Sequence, residues 1–118
     1  MPLLNQGTRY MIDTLKGRIN EVVFGFGGTL ASQDDVGAAQ PAVSVVPTVR
    51  VLDDHSISVE AKLALDSSFT RPLREVVVQY KNPSDATDTT ALLRYTYDAV
   101  EKTSNNEIRF SAIIEVNP

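Results

Sequence analysis

Ser56-Ile57-Ser58-Val59-Glu60-Ala61-Lys62-Leu63-Ala64-Leu65 is the stretch that decides the fold. Ile57, Val59, Ala61, Leu63 and Leu65 alternate with Ser58, Glu60 and Lys62. A period of two puts the apolar side chains on one face of a strand and the polar ones on the other. Such a strand needs sheet neighbours and a second layer over its apolar face. Just before it, residues 43 to 52 form a β-branched run broken by Pro47, which predicts an edge position or a bulge. The short polar break Asp53-Asp54-His55 makes the two runs a hairpin.

Working outward, residues 73 to 81 read as a strand with Val76, Val78 and Tyr80 on one face. Asn82-Pro83-Ser84-Asp85 and the Thr and Asp residues after it predict a turn or an exposed loop tip. Residues 91 to 98 follow, with Leu93, Tyr95 and Tyr97 sharing a face, and residues 107 to 116 close the chain by alternating Ile108, Phe110, Ala112, Ile114 and Val116 against Arg109, Ser111 and Glu115. Toward the N-terminus, residues 8 to 19 predict one helix. Thr8 would be its N-cap, and Met11, Leu15 and Ile19, with Ile12 beside them, its apolar stripe. Residues 21 to 26 read as a strand ending in Gly25-Phe26-Gly27-Gly28, where glycine would permit positive φ. Residues 27 to 41 then read as a loop that is long for a compact domain. The expected architecture is one mainly β domain over residues 1 to 118: an antiparallel β-sandwich of about six strands with an N-terminal helix over an edge or an end. An α+β layer is the alternative.

The 118 residues carry a net charge of −4, and no cluster of Lys and Arg occurs. Nucleic acid and anionic membranes both call for a positive footprint, so neither is an expected partner. The chain has no Cys, which removes disulfides, thiolate metal sites and a Cys nucleophile. The N-terminus lacks the basic start and apolar run of a signal peptide, and no segment has the length of a membrane helix. The expectation is synthesis in a cytoplasm, without entry into the secretory pathway and without membrane insertion.

Motifs that could carry chemistry are weak. The Gly25–Gly28 stretch follows a strand but opens no helix and has no Gly-Lys-Ser/Thr, so it does not read as a phosphate loop. Asp34-Asp35 and Asp53-Asp54-His55 lack the spacing of calcium or zinc ligands and read as turn residues. His55, the single His, reads as an exposed hairpin residue, not a general base. Glu60, Glu75, Glu101, Glu107 and Glu115 read as outward strand residues. No catalytic, metal or cofactor residue is assigned, and no cofactor is expected. The candidate site residues are interface ones: Met11 and Leu15 on the helix, Phe26 at the strand exit, and Tyr95 and Tyr97, whose rings suit partly buried contacts.

The succession Met11-Ile12-Asp13-Thr14-Leu15-Lys16, Val22-Val23-Phe24-Gly25-Phe26-Gly27-Gly28-Thr29, Ser32–Gly37, Arg74–Val78, Leu92–Tyr97 and Glu101–Phe110 resembles a family of small domains in the fibre and baseplate proteins of tailed viruses. The resemblance spans nearly the whole chain. It implies a non-enzymatic structural or adaptor role in a virion (tail, baseplate, fibre, neck or head decoration) and a homo-oligomer, trimer or ring, among other virion proteins. It carries over no catalytic residue. The alternatives are a β-sandwich module that binds a host receptor or glycan through loop tips and its Tyr-bearing face, and a small enzyme or metal-dependent regulator, in which His55 would be the obvious base.

Overall fold

The computed structural model describes residues 4 to 64 and 68 to 116. Its elements are helix α1 (Asn5–Arg18) and strands β1 (Glu21–Gly25), β2 (Pro41–Val45), β3 (Thr48–Val51), β4 (Ser56–Leu63), β5 (Leu73–Asn82), β6 (Asp85–Val100) and β7 (Ile108–Glu115). The strands form two antiparallel sheets, ordered β2-β1-β5-β6 and β3-β4-β7, in a mainly β, sandwich-like fold whose sheets do not close on each other.

The decisive alternation holds. Ile57, Val59, Ala61 and Leu63 are buried on β4, while Glu60 and Lys62 are exposed; Leu65 lies outside the described residues. Val59, Ala61 and Leu63 pack against Val22 and Phe24 of β1 and Leu73, Val76 and Val78 of β5, the shared core of the two sheets. β3 and β4 form the expected hairpin, with Val51 opposite Ile57.

Several expectations need correction. Residues 43 to 52 are not one strand but two: the chain leaves the first sheet after Val45 and enters the second at Thr48. Pro47 lies in the crossing, where its missing N–H costs no ladder bond. This brings the strand number to seven. The stretch after the Pro83-Ser84 turn is not a loop tip, because β6 starts at Asp85. Thr87, Thr89 and Thr90 are β-branched, and their polarity reflects solvent exposure rather than absence from the sheet. β6 has sixteen residues against ten in β5, and the surplus is taken up where the pairing register shifts at three places.

The helix begins earlier than residue 8, and Thr8 is not its cap. Leu4 stands at the N-cap without a side-chain bond, while Thr8 is fully buried and its hydroxyl donates to the Leu4 carbonyl at 3.2 Å. The buried face runs through Thr8, Ile12, the half-buried Leu15 and Ile19; Met11 turns outward at 45% exposure. α1 packs against β3 and β4, and Arg9 reaches Asp54 at 3.3 Å. His55 is half-buried rather than exposed, and its Nδ1 has no hydrogen-bond partner. Asp53 organises that turn, accepting from the His55 N–H at 2.8 Å and the Ser56 hydroxyl at 2.9 Å.

This helix orientation separates two neighbouring positions. Ile12→Ala should cost about 2–4 kcal/mol in chemical denaturation, and Met11→Ala less than about 1 kcal/mol. Equal costs would mean that the helix is rotated from the face described.

Candidate functional site

β1 and β5 are buried on both faces of their sheet. Val22, Phe24, Val76 and Val78 face the core, while Val23, Glu75, Val77 and Gln79 are buried on the other side. Glu75 is fully buried. Its carboxylate accepts the backbone N–H groups of Gly27 at 2.6 Å, Ala39 at 2.7 Å and Gln40 at 2.9 Å, and Arg94 Nε donates to it at 3.1 Å. One carboxylate thus holds both ends of the segment joining β1 to β2.

Arg94, on β6, carries the contact to the middle of that segment. Its guanidinium, 5% exposed, donates to the Thr29 carbonyl at 2.9 Å and lies 3.1 Å from Asp35 Oδ2. Asp35 also closes the loop's own turn, accepting from the Ser32 N–H at 2.9 Å and donating its backbone N–H to the Ser32 carbonyl at 3.1 Å. The loop between β1 and β2 is therefore fixed at both ends and in the middle by one charged network. Leu30 and Val36 project from it, 87% and 88% exposed.

The glycines at the strand exit serve this network by close approach. No described residue has positive φ, so the expected left-handed exit is not the reason for them. A Cβ on Gly27 would lie 2.4 Å from Glu75 Oε2, and one on Gly25 would lie 2.6 Å from the Gln40 carbonyl oxygen and 2.7 Å from the same carboxylate. Only a residue without a side chain lets the carboxylate reach the backbone here.

Burial alone would push the Glu75 carboxyl up, but the three backbone donors and Arg94 outweigh it and hold the group below its ordinary range. Tyr97 borders the site: its hydroxyl donates to the Glu75 carbonyl at 3.3 Å, and burial together with the Glu75 charge pushes it up to about 12.

The structure does not gather the other expected interface residues into one place. Met11 and Leu15 lie on α1, Phe26 stacks edge-on to Phe69 at 6.2 Å beneath the Arg71 guanidinium, and Tyr95 rests beside Phe110 at 5.9 Å. Asp34 and Asp35 belong to the loop turn, and no cluster of His, Asp and Glu fit to hold a metal occurs among the described residues. Neither Glu75 nor Arg94 is among the expected site residues, and the expectation that Glu75 faces outward is overturned by its full burial. A signal was present: Val76-Val77-Val78 is apolar without alternation, which marks a strand buried on both faces, and Glu75 shares its face with Val77.

No protein-family model matches this chain, and no curated protein matches it.

Two outcomes follow from the network. Glu75→Gln should cost about 3 kcal/mol, because it leaves Arg94 buried without its main counter-charge. It should also raise hydrogen exchange at the Gly27, Ala39 and Gln40 amides. Since the native carboxyl lies below its ordinary value of 4.5, the clamp is complete above that value and is lost as pH falls through the native one. The amide shifts of Gly27, Ala39 and Gln40, the three donors to Glu75, should therefore hold steady from neutral pH down to the ordinary carboxylate range and change below it. A transition at or above that range would contradict the assignment.

Proposed function

We propose that this chain is a non-enzymatic assembly protein, a structural or adaptor component of a tailed-virus particle, and that the loop between β1 and β2 is its docking element. The observation that carries the reading is the pairing of a rigid base with an apolar tip. Leu30 and Val36 are almost fully exposed on a segment tied down by buried charges. Exposed apolar side chains cost solubility and suit contact with a partner. Anchoring them beforehand lowers the ordering cost of binding. Partners on this reading are other virion proteins, with further copies of the chain among them.

The glycan- or receptor-binding alternative draws less support. It relies on the Tyr-bearing face, yet Tyr97 turns its hydroxyl inward to Glu75 and Tyr95 packs on Phe110.

The test is immunogold electron microscopy of particles from the source, using antibody to this chain, together with the variant Leu30→Ser/Val36→Ser. Label on the tail or capsid is expected. The variant should unfold at the wild-type temperature within about 2 °C but fail to enter particles. Unlabelled particles would overturn the virion role, and normal incorporation of the variant would overturn the loop's part in it.

A further inference from the structure

Among the described residues each sheet ends in two unpaired edge strands, and three of the four are poorly suited to pairing. β2 opens on Pro41 and is followed by Pro47; β3 has four residues; β6 is irregular wherever its surplus residues interrupt the register with β5. Prolines, short length and bulges are the usual means of blunting an edge. β7 has none of them. Its eight residues pair with β4 from Ile108 opposite Leu63 to Glu115 opposite Ser56 without a register shift.

The direction of its backbone groups follows from one bond. The Val116 N–H donates to the His55 carbonyl at 2.7 Å, toward the β4 side. In an antiparallel ladder alternate residues turn their N–H and C=O to opposite sides. Hence Ile108, Phe110, Ala112 and Ile114 bond toward β4, and Arg109, Ser111, Ile113 and Glu115 offer theirs at the free edge.

From this we infer that β7 pairs with β7 of a second copy, antiparallel about a two-fold axis at Ala112, joining two three-stranded sheets into one. The sequence is self-complementary about that residue. Arg109 falls opposite Glu115 of the second copy, Ser111 opposite Ile113, and Phe110 opposite Ile114, each twice by symmetry. Arg109–Glu115 and Ser111–Ile113 are pairs of edge-facing residues, which exchange hydrogen bonds. Ala112 meets itself at the closer, non-bonded spacing of about 4.5 Å, which suits a small side chain. Charge complementarity selects this register. Within one copy Arg109 lies opposite Lys62, a like charge, with Glu107 accepting from the Arg109 Nε at 2.6 Å; Glu115 of the second copy would set a second carboxylate against the two cations. Ile113, 60% exposed in one copy, would meet its counterpart diagonally across the axis. The inference rests on β7 alone and does not depend on the virion reading or on the loop.

Sedimentation equilibrium of the full chain tests it. A dimer is expected. Arg109→Glu and Glu115→Arg should each weaken it about tenfold, and the double swap should restore it. Ile113→Pro removes an edge-facing N–H while leaving the β4 ladder intact, so it should give a folded monomer. In the dimer the Ser111 and Ile113 amides should be protected from exchange, and in the single-charge variants that protection should fall. A monomer at the highest attainable concentration, a trimer, or a dimer indifferent to the charge swap and to the amide readout would each overturn the inference.

Discussion

Everything on the outer side of the four-stranded sheet depends on one carboxylate. Glu75 sits on a central strand, shielded from water, and its charge is met by three main-chain donors and a guanidinium. A buried anion is tolerated only when its lone pairs are satisfied. The glycines at the end of β1, the return of the chain at Ala39 and Gln40, and the placement of Arg94 on the neighbouring strand are the means by which this chain satisfies them. The constraint runs in both directions: the loop needs the carboxylate to hold its shape, and the carboxylate needs the loop to remain charged.

The two layers of the molecule follow different physics. Between the sheets lies an ordinary apolar core of Val, Leu, Ile and Phe, held by burial and close packing. Behind β5 lies a polar layer, where geometry is set by directional bonds. Apolar packing tolerates small rearrangements, whereas a network with each donor aimed at one oxygen favours a single arrangement.

How much of this can be read in the sequence depends on whether one face or two are buried. β4 is wet on one side, so its alternation from Ile57 to Leu63 is plain. β5 is buried on both sides, which the unbroken run Val76-Val77-Val78 signals, but one acid at the head of that run reads as an ordinary surface residue unless the run is read as covering both faces. The split at Pro47 was marked by the proline, but one residue type signals an edge, a bulge and a change of sheet alike. The helix was legible and its rotation was not, because Met11 and Ile12 are both apolar and only the packing partner distinguishes them. Arg94 carries no local signal at all; its role exists only through the pairing of Val77 with it across β5 and β6.

The long strand β6 has a consequence of its own. Its surplus residues throw the outward row of carbonyls and amides out of step, so the larger sheet offers no even template on that flank. Any sheet protein with an even, exposed edge is open, when crowded, to runaway sheet growth, in which each added copy presents a fresh surface for the next. Slack built into the border strand makes the larger sheet terminate in each molecule, so that crowding does not turn order into fibre.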